Sequence, residues 1–262
     1  MSKTQNHCLA CMEKGYKKHG HPLYRTCAHC GTIYQFEGIE NITDYYTDIA
    51  LDYSYQKGSY YYYLNLIRRY INHNTNPTLI DMGTGDGLFL DVCSSYFPKC
   101  YGVEFSEIAQ KVLTEKGYLI DMDSVGSYKS KVVSALQVLE HVSNPDTFLD
   151  GFCLQQGDYA VLTSPAADTR YALRYKELWR NISPSHHLAM YTKKAIEIIA
   201  ERHNMEIVYY ENTWSATNNF WHNLWTHMKT YAKWPIKKLI GRKDPFPRYN
   251  WRDSFFVILK QK

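Results

Sequence analysis

The chain has 262 residues, of which 45% are hydrophobic and 21% are charged. Its length suits one catalytic domain of about 200 residues with a small appendage, and its composition excludes wholesale disorder. The net charge of +4, from 30 basic and 26 acidic residues, is too small to favour a dedicated nucleic-acid-binding domain. No long apolar run predicts a membrane span, and residues 1–21 lack the apolar core of a secretory signal. We therefore expect a cytoplasmic protein.

The N-terminal region carries two pairs of cysteines with metal-ligand spacing. Each pair encloses two residues, so one tight turn aims both thiols at a single ion. The four residues are Cys8, Cys11, Cys27 and Cys30. Four thiolates select zinc and fill its tetrahedral shell, so we expect a structural zinc knuckle within residues 1–40, with a strand leaving it at 32–36. Reduced thiols in a small core, or an iron–sulfur centre, are the alternatives.

Residues 41–75 are predicted to connect the knuckle to the catalytic domain. The segment is rich in tyrosine, and apolar residues that recur at helical spacing predict a helix over 59–72. We expect this helix to lie across the catalytic domain, with its tyrosines mainly in packing and at the rim.

A glycine-rich loop follows the first strand predicted after this helix. The strand at 78–82 leads into Gly83-Thr-Gly-Asp-Gly87, where glycines let the backbone approach a ligand beside a helix N-terminus. The next predicted strand, 100–104, ends in Glu104, a carboxylate placed to accept both ribose hydroxyls of a nucleoside. A dinucleotide fingerprint counted from Gly83 requires glycine at position 88, where Leu88 stands, so the sequence disfavours a dehydrogenase.

The pattern D-x-G-x-G-x-G, from Asp81 to Gly87, resembles motif I of class I S-adenosylmethionine-dependent methyltransferases. Similar segments follow it: a helix after Ser106, strands at 117–121, 131–136 and 159–163, a Leu-Glu-His-Val segment at 139–142, and a last strand at 253–259. The resemblance implies an α/β fold, a Rossmann-like doubly wound sheet with an antiparallel last strand. The domain would span residues 76–262, with a helical insertion at about 214–241. One departure is Lys131, where the family commonly has an aspartate.

The resemblance also implies that the cofactor is S-adenosylmethionine. By this resemblance the Gly83–Gly85 backbone contacts the methionine moiety, Asp81 holds its ammonium group, and Glu104 binds the ribose. Either Asp121 or Asp123 matches the acidic position that contacts the adenine amine. The expected cofactor contacts are Asp81, Gly83, Thr84, Gly85, Glu104, Phe105, Asp121, Met122 and Gln137.

Methyl transfer to a hydroxyl requires an acceptor lone pair aligned with the sulfonium and a group that removes the proton. The expected catalytic residues are Glu140, His141 and His187. Histidine is the natural base near neutral pH, and the alternative is that both histidines only shape a loop or the rim. Some relatives hold a divalent metal through E-x-x-E-H and a distant histidine, but Gln137 here replaces the first glutamate.

A four-cysteine knuckle followed by this core resembles bacterial enzymes that methylate sugars, including nucleotide-linked deoxysugars. The resemblance implies a small-molecule acceptor: a hydroxyl of a sugar, a surface glycan or a related metabolite. Methylation of RNA or protein, and a non-catalytic zinc-bearing interaction module, are the alternatives. We expect the aromatic and basic segment at 214–241 to shape the acceptor pocket, with core packing or a peripheral membrane contact as alternatives. The sequence does not predict the oligomeric state.

Overall fold

The computed structural model describes residues 7–36, 54–72, 76–213 and 252–262, and three helical positions at 225, 228 and 232. The expected insertion at about 214–241, apart from those positions, and the tyrosine-rich stretch before residue 54 therefore lie outside the described residues. Within the described ranges, no helix combines the length and the apolar character that crossing a membrane requires.

The described strands fall into an N-terminal group and a catalytic group. The N-terminal strands are β1 (Tyr16–Lys18), β2 (Tyr24–Cys27) and β3 (Ile33–Gln35). The others are β4 (Thr78–Met82), β5 (Cys100–Val103), β6 (Lys131–Leu136), β7 (Tyr159–Pro165), β8 (Ala189–Met190), β9 (Met205–Thr213) and β10 (Ser254–Gln261). The described α-helices are α1 (Lys57–Tyr70), α2 (Leu88–Cys93), α3 (Glu107–Glu115), α4 (Pro145–Asp150), α5 (Arg170–Tyr175) and α6 (Lys193–Arg202). Short 3-10 turns cover Ser54–Gln56, Met122–Ser127, Leu139–His141 and Lys176–Leu178.

The main sheet has the strand order β5-β4-β6-β7-β10-β9. The first four strands are parallel, and β10 runs antiparallel between β7 and β9. This arrangement confirms the predicted Rossmann-like sheet with an antiparallel last strand. Because the carboxyl ends of parallel strands meet at one edge, the loops that follow β4, β5 and β6 lie side by side there.

The strand predicted at 117–121 is too long. The structure keeps a single parallel bridge, between Leu119 and Gly102. The Gly102 amide donates to the Tyr118 carbonyl at 2.8 Å, and the Ile120 amide donates to the Gly102 carbonyl at 3.0 Å. The chain then turns after Asp121 into the 3-10 turn Met122–Ser127, which ends the pairing.

Lys131, the departure from the family pattern, is fully buried at the start of β6. Its Nζ lies 3.1 Å from Asp158 Oδ2 and donates to the Tyr128 carbonyl, also at 3.1 Å. Asp158 Oδ1 accepts a further hydrogen bond from the Lys131 amide at 2.9 Å. A buried charge needs a partner, so the lysine is accommodated because Asp158 supplies the opposite charge.

Apolar side chains cover both faces of the main sheet. The predicted helix at 59–72 is observed as α1, whose Tyr63 stacks on Phe256 of β10 at a ring-centroid distance of 5.0 Å. The N-terminal strands belong to a second sheet of order β1-β2-β3-β8, in which Ile33 pairs with Met190. Residues 7–36 and the catalytic region therefore share one hydrogen-bonded sheet.

Candidate active site

The glycine loop after β4 has the backbone that its sequence predicts. Gly83, Gly85 and Gly87 have φ of 72°, 59° and 75°, a region that favours glycine. A Cβ on Gly83 would lie 2.8 Å from Cγ2 of Val138, which follows β6. Glycine at 83 thus permits close approach between the loops of two neighbouring strands.

Glu104 is held against this loop by backbone amides. Its Oε2 accepts from the Gly85 amide at 2.8 Å, and its Oε1 accepts from the Phe105 amide at 2.7 Å and the Ser106 amide at 3.0 Å. Ser106 is the N-cap residue of α3, but its hydroxyl makes no capping hydrogen bond. The carboxylate therefore has a fixed place beside the glycine loop, at the end of β5.

Asp81 lies inside the sheet just before the loop. Its side chain is buried, and its Oδ1 accepts from the Ser134 hydroxyl at 2.6 Å. Burial raises the pKa of the Asp81 carboxyl to about 7, and the Ser134 hydrogen bond opposes that rise. A cationic ammonium group nearby would favour the ionised carboxylate.

The remaining expected cofactor residues differ in exposure. Phe105 is 73% exposed beside Glu104, Asp121 is exposed, Met122 is half-buried, and Thr84 is buried in the loop. Gln137 has φ of 59°, and its side-chain amide donates to the Thr163 hydroxyl of β7 at 3.2 Å. These positions line the same edge of the sheet, and their contact with a cofactor stays a prediction.

The three expected catalytic residues come together. One ligand atom each of Glu140, His141 and His187 lies within 4.8 Å of the other two. The ring centroids of His141 and His187 are 4.9 Å apart. His186 joins them, 4.5 Å from the His187 ring and 5.5 Å from the His141 ring. The cluster has the donor types that bind a divalent cation and the groups that transfer protons.

Backbone carbonyls orient both imidazoles. His187 Nδ1 lies 2.7 Å from the Asn181 carbonyl, and His141 Nδ1 lies 2.8 Å from the His186 carbonyl. A carbonyl only accepts, so each Nδ1 carries the hydrogen. In the neutral His187 ring, Nε2 therefore keeps its lone pair.

Burial makes the cluster electrically neutral near pH 7. It lowers the pKa of His187 to about 4 and that of His141 to about 3. It raises the pKa of the Glu140 carboxyl, whose side chain is 1% exposed, to about 8. Neutral histidines are the form in which an imidazole accepts a proton or a metal.

The sequence analysis missed the residues that anchor His187. Asp253, just before β10, accepts hydrogen bonds at Oδ2 from the Asn181 side chain at 2.9 Å and the Trp179 ring at 3.2 Å. The Asn181 carbonyl in turn holds the His187 ring. Asp253 lies 72 positions after Asn181 along the chain, and no local pattern marks the pair.

The four cysteines form the predicted cluster. The Sγ atoms of Cys8 and Cys30 are 3.6 Å apart, those of Cys11 and Cys27 are 3.5 Å apart, and all four lie within 4.8 Å of one another. Tetrahedral zinc with Zn–S bonds of about 2.3 Å requires S–S edges of roughly 3.8 Å. The Cys30 amide also donates to Cys27 Sγ at 3.5 Å. The cluster has the geometry to hold zinc.

A cavity of about 820 Å³ opens between the N-terminal strands and the segment that follows β7. Four lysines contribute to its lining, Lys17, Lys18, Lys176 and Lys194, together with Asp168 and Glu177. Cations outnumber carboxylates, so the cavity favours an anionic ligand.

A family model described as a methyltransferase domain matches residues 55–210. Among solved structures, a SAM-dependent methyltransferase from Anabaena variabilis ATCC 29413 superposes with a TM-score of 0.54 and 12% identity, covering 79% of this chain and 85% of that one. Phosphoethanolamine N-methyltransferase 2 from Haemonchus contortus, in complex with S-adenosyl-L-methionine, superposes with a TM-score of 0.52 and 14% identity. The match covers 87% of this chain and 62% of that one. Magnesium protoporphyrin IX methyltransferase from Synechocystis PCC 6803, with bound SAH, superposes with a TM-score of 0.50 and 13% identity. The match covers 83% of this chain and 91% of that one. A search of curated proteins finds no match.

Proposed function

This chain belongs to the methyltransferase-domain family and is an S-adenosylmethionine-dependent methyltransferase, and on that premise we propose that it methylates a hydroxyl of a sugar or a related small metabolite. The observation that carries the cofactor assignment is the contact of Glu104 with the Gly85 amide. It places a carboxylate and a bare backbone at the same edge of the sheet, as a nucleoside with an amino-acid end requires.

In this proposal each cofactor group meets a residue of matching chemistry. Glu104 exchanges the Phe105 and Ser106 amides for the ribose, so that its carboxylate accepts hydrogen bonds from both ribose hydroxyls. The Gly83–Gly85 backbone lies along the methionine moiety. Asp81 holds the ammonium group, directly or through water. Phe105, Asp121 and Met122 surround the adenine, and Thr84 and Gln137 complete the contacts.

The histidine cluster activates the acceptor. The acceptor oxygen attacks the methyl carbon as the carbon–sulfur bond breaks, and the bonding pair stays on sulfur to give S-adenosylhomocysteine. The hydroxyl proton passes to His187 Nε2, whose other nitrogen is held by Asn181. Glu140 and His141 lie beside this imidazole, each with one ligand atom within 4.8 Å of a His187 nitrogen, and shape the site around the acceptor hydroxyl. The four cysteines hold a structural zinc, whose filled shell leaves no position for substrate.

The excess of lysines over carboxylates around the cavity favours a ligand that carries a phosphate, such as a nucleotide-linked sugar. None of Glu104, His141 and His187 lines this cavity, so in this proposal it holds the phosphate and not the reacting hydroxyl. Methylation of RNA or protein is the second candidate, since the same cations also attract a macromolecular anion. Binding to RNA would fall steeply with salt, whereas turnover of a nucleotide-linked sugar needs no macromolecule.

Calorimetry with S-adenosylhomocysteine tests the cofactor site without knowledge of the acceptor. We expect micromolar binding by the zinc-replete protein, about −8 kcal/mol. Glu104→Ala removes two hydrogen bonds to an ionised acceptor, each worth about 1.5–3 kcal/mol, so affinity should fall at least 100-fold. Glu115→Ala, an exposed carboxylate on the same helix as the Ser106 cap, is the matched control. Equal affinity of wild type and Glu104→Ala would remove the ribose assignment.

Transfer of a labelled methyl group to a panel of acceptors tests the reaction itself. We expect label in nucleotide-linked sugars and its loss in His187→Ala, with binding of S-adenosylhomocysteine preserved. A chelator that leaves the cysteine-bound zinc in place, followed by added Mn²⁺, tests the alternative. If chelation removes activity and Mn²⁺ restores it, the histidine cluster is a metal site and His187 is not the base.

A further inference from the structure

The segment that carries His187 is held from behind by the N-terminal strands. The Tyr24 hydroxyl donates to the His187 carbonyl at 2.8 Å. The Gln35 side-chain amide donates to the same carbonyl at 2.8 Å and to the Pro184 carbonyl at 2.9 Å. The Gln35 backbone amide donates to the Leu188 carbonyl, again at 2.8 Å. Four hydrogen bonds from two residues therefore converge on the turn that presents the imidazole.

These donors are buried and complete the bonding capacity of their acceptor. Tyr24 is 0% exposed and Gln35 is 1% exposed, so water does not replace either one. A carbonyl oxygen has two lone pairs, and the His187 carbonyl uses both. The His187 ring is fixed separately, by Asn181 on its other side.

The same two residues are tied to the cysteine cluster. Tyr24 and Gln35 are directly opposite each other in the β2–β3 pair. Cys27 ends β2, and Cys30 lies in the turn that joins β2 to β3. The turn is also attached to the catalytic region, since the Thr192 hydroxyl donates to the Cys30 carbonyl at 2.6 Å. A metal at the cysteines closes the hairpin and thereby keeps the two donors side by side.

We propose that Tyr24 and Gln35 are positioning residues for His187, through which metal binding at the four cysteines sets the geometry of the catalytic turn. The inference rests on the proposed role of His187. It assigns to the knuckle a task beyond general stability. Without the two side-chain donors, the His187 carbonyl loses both partners, while the turn keeps the bonds that Leu188 makes to the Gln35 amide and the Glu140 carbonyl and the Asn181 bond to the ring.

The test observes the His187 imidazole directly, by NMR of protein labelled with ¹⁵N-histidine and loaded with zinc and S-adenosylhomocysteine. Gln35→Leu removes the side-chain donor, and Gln35→Glu removes it at nearly constant shape. We expect the His187 Nδ1 proton, protected by Asn181 in the wild type, to exchange rapidly with water in both variants. Signals of His203, far from this turn, should not move. Tyr24→Phe, which deletes one oxygen and retains the packing, should give a smaller change of the same kind.

Zinc content and affinity for S-adenosylhomocysteine should stay within twofold of wild type in all three variants. In the transfer assay, kcat should fall by about 10- to 100-fold, the scale expected for a displacement near 1 Å, with less change in KM. Lys14→Ala, which changes an exposed residue just before β1 that does not line the cavity, is the control. An unchanged His187 signal in Gln35→Leu and Tyr24→Phe would overturn the positioning role. A changed His187 signal with full turnover would support the positioning role of Tyr24 and Gln35 but would show that His187 is not the base. The positioning proposal and the proposed role of His187 can therefore fail separately.

Discussion

Glu140 should make the stability of this protein fall as the pH rises, and Glu140→Gln should abolish that part of the dependence. Burial raises the pKa of this carboxyl from 4.5 to about 8 in the folded state. The folded protein therefore binds more protons than the unfolded chain between those values, and its stability declines across that window. Glutamine has nearly the same shape and does not titrate.

The magnitude follows from the shift. One pKa unit corresponds to about 1.4 kcal/mol, and at pH 8 the folded carboxyl is half ionised. Between pH 6 and pH 8 the wild type should lose roughly 2 kcal/mol relative to Glu140→Gln. Asp81, whose pKa is also raised, titrates in both proteins, so its contribution cancels from the difference.

Urea unfolding of the zinc-replete proteins at pH 6, 7 and 8 measures this difference. Glu201→Gln, which changes an exposed carboxyl on α6, is the control and should run parallel to wild type. If the stability difference between Glu140→Gln and wild type does not change with pH, Glu140 is not a buried neutral acid in the folded protein. The neutral cluster deduced around His187 would then be wrong as well.

Three further predictions concern separate parts of the site. Because burial lowers the pKa of His187 to about 4, kcat should be constant from pH 7, below the range in which Glu140 ionises, down to about pH 5. It should fall only below pH 5, and an acid limb near the unperturbed histidine value of about 6.5 would contradict this. Lys131→Met leaves the buried Asp158 carboxylate without its cationic partner, with the Lys131 and Gln155 amides as its remaining donors, and should cost about 3–5 kcal/mol in urea unfolding. Asp158→Asn removes the charge and should recover part of this loss in the double variant; equal stability of single and double variants would refute the pairing. Gly83→Ala places a Cβ 2.8 Å from the Val138 side chain, at a φ of 72° that strains alanine. The variant should bind S-adenosylhomocysteine at least 10-fold more weakly in calorimetry, and unchanged binding would show that the loop adjusts.

The glycine loop and the place of Glu104 beside it could be predicted because their determinants are local. Positive φ at Gly83, Gly85 and Gly87 needs glycine whatever surrounds the loop, and a carboxylate at the end of the next strand reaches the same edge because the strands are parallel. The strand predicted at 117–121 was too long for a related reason. Its apolar residues favour a strand, but the turn after Asp121 ends the pairing after one bridge.

The support of the histidine cluster could not be predicted from the sequence. Asn181 and Asp253 are joined across 72 positions, and Gln35 reaches His187 across 152. Such contacts depend on the order of strands in two sheets, and the spacing of residues along the chain does not predict that order. Lys131 shows the same limit, since its compensation by Asp158 becomes visible only when β6 and β7 are paired.

The two halves of the proposed site therefore depend on different parts of the chain. In the proposed site, cofactor binding rests on the loops after β4 and β5, strands of the main sheet, whereas β1, β2 and β3 belong to the sheet that contains β8. The acceptor side rests on the turn before β8. This turn is held by β3, which pairs with β8, and by Asn181. The Glu140 carbonyl holds it as well, since it accepts from the Leu188 amide at 2.7 Å. Loss of the metal should consequently remove turnover while S-adenosylhomocysteine still binds. Parallel loss of both would mean that the knuckle supports the whole fold and not the catalytic turn.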